Sequence, residues 1–246
     1  MIWLSLLAFL ATLVAALGAI RWAASHRTEY ALNKPQRFHS GNVSRLGGVA
    51  VFIGLTTSWG AGRLTTWLGD PSSLHLDVWL FWWWVALLPA FVGGLIEDVT
   101  QRLAPRHRLL LSACTALLAV GLLGLRLPRL DLPWLDATWI SMPWLGVLVA
   151  LLAVAGLPHA FNIIDGYNGL SSMVAVIVCL ALAHVALQVG DRGLAAALVS
   201  LAAATGGFLV WNYPRGLLFA GDGGAYIWGV VIAFASLSLV QRNPDV

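Results

Sequence analysis

Residues Leu145–Leu170 read LGVLVALLAVAGLPHAFNIIDGYNGL. The stretch opens as an apolar run, part of a segment over 139–161 long enough to cross a bilayer as a helix. It closes on Asn162 and Asp165, three residues apart and so on one face of a helix. Gly166 and Gly169 follow, and they permit a turn or a close backbone approach. An ionisable residue set in apolar sequence of this kind is costly in a membrane and marks a candidate functional site.

The same pattern recurs along the whole chain. Apolar runs over 2–24, 46–68, 78–96, 108–126, 139–161, 170–189, 194–212 and 222–240 predict about eight transmembrane helices. Of the 246 residues, 59% are hydrophobic and 10% are charged. Soluble domains carry about 25% charged residues, and a soluble chain of this size could not hide so much apolar surface in one core. The fold class is therefore all-α, a polytopic membrane helix bundle. The first run, Ile2 to Ala24, has no Lys or Arg before it and is too long for a secretory signal, so it reads as a retained span. No linker or internal repeat separates the runs, which makes residues 1–246 a single domain. Cys114 and Cys179 lie inside apolar runs and read as small core residues, with no disulfide or metal spacing. Trp79, Trp82, Trp83, Trp84, Trp139 and Trp144 fall toward span ends, where an aromatic belt is expected.

Charge sets the orientation. The loops after the first, third, fifth and seventh spans hold Arg21, Arg27, Lys34, Arg37, Arg45, Arg102, Arg106, Arg108 and Arg215. The opposite loops hold Arg63, Arg126, Arg129, Arg192 and Arg242. The richer side is cytoplasmic by the positive-inside rule, which puts the N-terminus outside. Basic residues spread over short loops in this way fit topology rather than nucleic-acid binding.

The side read as cytoplasmic also collects nearly every unusual polar motif. Glu97 and Asp98 end an apolar run, where adjacent carboxylates repel unless a cation or shared proton relieves them. Asp222 sits in Gly221-Asp-Gly-Gly224, whose glycines open the backbone to a ligand and whose amides can face phosphate. Its carboxylate suits a hard cation such as Mg²⁺. Lys34, Arg37, His39 and Arg45 could hold phosphates or serve as a topology signal beside anionic lipid. His159, alone before the Asn162 motif, reads as structural.

Taken together, the motifs resemble a known family. Arg45-Leu-Gly-Gly-Val-Ala50, Gly93-Gly-Leu-Ile-Glu-Asp98, Phe161-Asn-Ile-Ile-Asp-Gly-Tyr-Asn-Gly-Leu170 and Gly221-Asp-Gly-Gly224 occur in the order seen in the polyprenyl-phosphate N-acetylhexosamine-1-phosphate transferases, glycosyltransferase family 4. The resemblance implies transfer of a sugar-1-phosphate from a UDP-sugar to undecaprenyl phosphate, with release of UMP, for cell-envelope polysaccharide synthesis. It implies Mg²⁺ as cofactor, with Mn²⁺ as an alternative. By the same resemblance Asp222 is the metal ligand, and Glu97, Asp98 and Asp165 are catalytic. Glu97 stands where many relatives have Asp. Lys34, Arg37, Arg45, Asn162, Asn168, Gly221 and Gly223 are the expected substrate-binding set.

The expected setting is the bacterial inner membrane, with the site on its cytoplasmic face. The partners are a UDP-sugar, the polyprenyl phosphate lipid, the membrane and, as a further option, a second copy of the chain in a homodimer. Two other readings compete. Intramembrane carboxylates also suit an ion-coupled transporter, whose site should lie near the bilayer midplane. Family members also continue through a histidine-rich loop and further spans. The six histidines here form no paired motif, so the domain is expected to lack that loop, either as a piece of a longer protein or as a short form that turns over weakly or not at all. The phospho-muramoyl-pentapeptide transferases are the runner-up within the enzyme reading.

Overall fold

The computed structural model describes residues 1–25, 43–69 and 79–244. Among these residues the secondary structure is helical throughout, apart from one isolated bridge between Ser44 and Leu218. The helices are α1 (Ile2–Ser25), α2 (Gly47–Trp67), α3 (Trp79–Thr100), α4 (Pro105–Leu123), α5 (Pro133–Ser141), α6 (Pro143–Ile164), α7 (Leu170–Gln188), α8 (Arg192–Asn212) and α9 (Gly221–Arg242).

All but α2 and α5 are long and apolar enough to cross a membrane on composition alone. α2 occupies the expected second span, but Ser, Thr and Gly dilute its apolar content. Those small residues let it lie close against its neighbours. The Ser58 hydroxyl donates to the Leu4 carbonyl at 3.0 Å, deep between α1 and α2. Small side chains at helix contacts are how membrane bundles pack, since lipid gives helices no hydrophobic reason to associate.

Several boundaries differ from expectation, and α3 runs on to Thr100, so that Glu97 and Asp98 lie in its last turn rather than beyond it. The run over 108–126 forms a helix that starts at Pro105 and ends at Gly124, whose φ of 64° closes it. The fifth span begins at Pro143 rather than 139, and the preceding residues make the separate helix α5. Pro133 and Pro143 each stand at the first turn of a helix, where the missing N–H costs nothing. Trp139 is anchored by its indole N–H, which donates to the Leu127 carbonyl at 2.9 Å. Trp83 departs from the expected aromatic belt. It is fully buried, edge-on to Trp59, Trp79 and Phe234.

α9 is the axis of the bundle, and nearly all of its residues are buried. α3, α6 and α8 run antiparallel to it, as the Trp83–Phe234, Pro158–Gly229 and Thr205–Trp228 contacts require. α2 runs parallel to it, with Gly48 against Gly224. The close approach of α6 depends on Gly229, because a Cβ there would collide with Pro158. The start of α9 therefore meets the start of α2 and the ends of α3 and α6.

Candidate active site

Two helices, α2 and α3, converge on glycines at the start of α9. A Cβ on Gly94 of α3 would come within 2.6 Å of the Gly223 amide nitrogen, and one on Gly48 of α2 would collide with the Gly224 backbone. The loop before α9 is tied to the loop before α2. Phe219 N–H donates to the Ser44 carbonyl at 2.9 Å, and the Gly47 and Gly48 amides donate to the carbonyls of Phe219 and Ala220 at 2.9 and 2.8 Å. This packing brings Arg45, Glu97, Asp98 and Asp222 together from distant parts of the sequence.

Asp98 uses both carboxylate oxygens to cap α9. They accept from the Asp222 and Gly223 amides, each at 2.8 Å. The first amides of a helix have no partner within it, and an anion there also meets the positive end of the helix dipole. Gly221 has φ +70°, and a Cβ on it would press into the Asp98 carboxylate. The expectation that these glycines present amides to a phosphate is corrected for the Asp222 and Gly223 amides, which a buried carboxylate already occupies. Gly221 and Gly223 make room for Asp98.

Asp222 points the other way, between two guanidiniums. Its Oδ2 accepts from Arg108 Nη1 at 2.6 Å and its Oδ1 from Arg45 Nη2 at 3.3 Å. Arg45 also lies 3.6 Å from Asp98 through Nε. The Asp222 side chain is 4% exposed, whereas Arg45 is 31% and Arg108 22% exposed. Buried charge of this kind is tolerated only when paired. Glu97 is buried, and its Oε2 accepts from the Leu103 amide at 2.9 Å. It thereby fixes the turn from α3 into α4, which delivers Arg108.

Asp165 follows directly on α6 and is half-buried, and its carboxylate accepts from the Ser171 hydroxyl at the start of α7. Burial raises its pKa from 3.8 to about 6, although the Ser171 hydrogen bond and Arg45 pull the other way. Asn162 is half-buried in the last turn of α6. Asn168 donates to the Pro214 carbonyl at 3.1 Å, and buried Asn212 accepts from the Gly169 amide at 2.7 Å and donates to the Leu218 carbonyl at 2.9 Å. These bonds tie the polar 162–169 segment to the loop leading into α9. Lys34, Arg37 and His39 lie outside the described residues.

Arg108 was legible only as one more basic residue of its loop, and nothing in its spacing pointed to Asp222. His159 and Ser112 also reach this end of the bundle, with His159 Nε2 3.0 Å from the Ser112 hydroxyl.

Residues 80–240 match glycosyl transferase family 4, a range that includes Glu97, Asp98, Arg108, Asp165 and Asp222. The chain belongs to this family. Among its relatives, a phospho-N-acetylmuramoyl-pentapeptide-transferase of Moorella thermoacetica is 32% identical over 78% of this chain and 60% of the relative. A probable undecaprenyl-phosphate N-acetylglucosaminyl 1-phosphate transferase of Bacillus subtilis is 27% identical over 82% of this chain and 53% of the relative. An undecaprenyl-phosphate alpha-N-acetylglucosaminyl 1-phosphate transferase of Thermotoga maritima is 30% identical over 36% of this chain and 25% of the relative. The chain thus spans 60% or less of the length of these relatives. Both the muramoyl-pentapeptide and the N-acetylglucosaminyl branches of the family are represented.

Among the described residues, no group of three or more His, Cys, Asp or Glu side chains forms a metal cage. Mg²⁺ commonly takes one or two protein carboxylates and completes its shell with substrate phosphates and water. Asp222 fits that partial role, with hard oxygen donors beside two arginines that can face the same phosphates.

Proposed function

We propose that the chain transfers a sugar-1-phosphate, of N-acetylhexosamine type, from a UDP-sugar to undecaprenyl phosphate at the cytoplasmic end of the bundle. The observation that carries this reading is Asp222, buried at the helix-packed end of the bundle and flanked by Arg45 and Arg108. The N-terminus then lies outside, because α1 runs antiparallel to α2 and begins at the far end. The protein resides in the bacterial inner membrane.

In the reaction, an oxygen of the lipid phosphate forms a bond to the sugar-bearing phosphorus. The bond from that phosphorus to the bridging oxygen breaks, and UMP leaves. A phosphate monoester has a second pKa near 6, so the nucleophile is largely dianionic at pH 7 and needs little general-base help. The difficulty is bringing two anions together. Arg45 and Arg108, partly exposed beside Asp222, screen the repulsion and orient the phosphates. Asp98 and Glu97 hold the helix ends that carry these groups, so their contribution is positional. Mg²⁺ held by Asp222 and substrate phosphates would neutralise charge on the leaving UMP. Asp165, at the same end, lies where it can meet the acceptor phosphate or the sugar.

Membranes carrying the chain should release UMP from one of a panel of UDP-sugars when undecaprenyl phosphate is supplied, and EDTA should stop the release. No release with any donor would overturn the reading. Release only with the UDP-muramoyl-pentapeptide donor would move the chain to the other branch, which the Moorella relative favours. The ion-coupled transporter reading is weaker, because the carboxylates sit at helix ends rather than midway along the spans.

A further inference from the structure

Next to the carboxylate site lies a polar chain between α4, α6 and α9 that the reaction described above does not use. Ser112 of α4, His159 of α6 and Tyr226 of α9 stand in apolar helices. His159 Nδ1 is 3.3 Å from the Tyr226 hydroxyl, and its Nε2 is 3.0 Å from the Ser112 hydroxyl. The His159 and Tyr226 rings meet edge to face, with centroids 5.2 Å apart. Ser112 in turn donates to the Leu109 carbonyl at 3.0 Å. On its other side the Tyr226 hydroxyl faces the Arg108 guanidinium, whose Nε–H is buried and makes no hydrogen bond.

The direction of this chain follows from what each atom can do. The Ser112 proton goes to a carbonyl, which only accepts, so the Ser112 oxygen is free to accept from His159 Nε2–H. His159 Nδ1 then carries a lone pair and accepts from the Tyr226 O–H. With its proton committed to His159, the Tyr226 oxygen turns its lone pairs toward Arg108. Within Ser112, His159 and Tyr226 every donor has one acceptor, and the neutral Nε2–H tautomer follows from these bonds. Polar networks in low dielectric hold geometry tightly when every member is satisfied.

We propose that His159 and Tyr226 are positioning residues that aim the Arg108 guanidinium at Asp222 and the transferring phosphate, an inference that rests on the transferase reading. Neither ring touches the reacting atoms, and His159 does not carry a proton in the reaction. Arg108 keeps Nη1 on Asp222, and the Tyr226 oxygen stops the fork from rotating out of that plane. A misaimed charge harms the transition state more than ground-state binding, so the loss falls on kcat.

The test uses the full chain in detergent and four variants. Tyr226→Phe keeps the ring and removes the hydroxyl, and it should lower kcat about tenfold while KM for the lipid phosphate stays within about twofold. His159→Ala should do the same. His159→Asn should recover most of the loss, because an amide can accept from Tyr226 and donate to Ser112 at once. An Asn variant as impaired as Ala would mean that His159 moves a proton, and it would overturn the proposal. So would unchanged kcat in Tyr226→Phe. A second readout is independent of turnover. In protein labelled with ¹⁵N at arginine Nε, the Arg108 resonance, assigned through Arg108→Lys, should shift in Tyr226→Phe and His159→Ala and return in His159→Asn. An unmoved resonance would overturn the positioning role. A wild-type chain inactive with every donor, but with the resonance shifting as expected, would instead locate the failure in the transferase reading.

Discussion

The two ends of the helix bundle handle charge in opposite ways. At the far end, Arg129 and Asp131 pair at 2.7 Å across a single turn, with Asp131 59% exposed, and Arg242 reaches Asp191 at 3.7 Å. At the end where α9 begins, the Asp98 and Asp222 side chains are 1% and 4% exposed, and their arginines come from the loop before α2 and from α4. The first kind of pair costs little and contributes little, a median of about 0–1 kcal/mol. The second removes carboxylates from water, at a cost of several kcal/mol per ion that only pairing and hydrogen bonding offset. A chain with 11 acidic residues has buried Glu97, Asp98 and Asp222 together at one end. That concentration sets the candidate site apart from the charges that lie at the surface.

The contrast should be broken most severely at Asp222. Asp222→Asn leaves Arg45 and Arg108 facing a neutral amide, and transfer should fall by a factor on the order of 10² or more, read as UMP release at saturating donor. The packing that builds the site is tested next. Gly94→Ala drives a methyl into the Gly223 backbone at the start of α9. It should cost about 1–3 kcal/mol of stability, measured by thermal unfolding in detergent, with loss of activity. Gly60→Ala and Gly121→Ala have nothing within 4 Å of the new Cβ and should leave both properties close to wild type.

A smaller effect is expected from Asp165. Because burial holds its pKa near 6 rather than 3.8, the folded protein takes up this proton as pH falls through about 6, before the unfolded chain does. Between those values the group favours the folded state more as pH falls. Its stabilising share is lost as pH rises through 6. If the ionised form serves transfer, activity should decline below about pH 6 on a limb that Asp165→Asn abolishes. A limb that persists in Asp165→Asn would assign the titration elsewhere. The least effect belongs to the far end. Asp131→Asn should change stability by about 0–1 kcal/mol and leave UMP release unaltered.

Much of this was legible in the sequence because its signals are one-dimensional. Eight apolar runs predict eight long helices, and a bilayer allows few other structures to cross it. Parity along the chain then puts Glu97, Asp98, Asn162, Asp165 and Asp222 at one end, where the structure has them. The boundary at 139 failed for a local reason. Trp139 and Ile140 continue the apolar composition across a break that Pro143 makes. Trp83 failed because an aromatic near a span end carries no mark of which face it occupies.

The sequence by itself determined the membrane class, the succession of long apolar helices and the end of the bundle on which the acidic motifs gather, since hydropathy and chain parity are properties of order alone. Only the tertiary structure decided what each polar residue does there. Gly221-Asp-Gly-Gly224 looked like a phosphate cradle, yet the Asp222 and Gly223 amides are satisfied by Asp98, more than 120 residues earlier in the chain. Arg108 looked like a topology signal, yet it is the 2.6 Å partner of Asp222. A carboxylate or a guanidinium has the same composition whether it caps a helix, pairs with a charge or meets a substrate. Its role is set by the groups that packing brings within about 3 Å, a distance no linear spacing encodes.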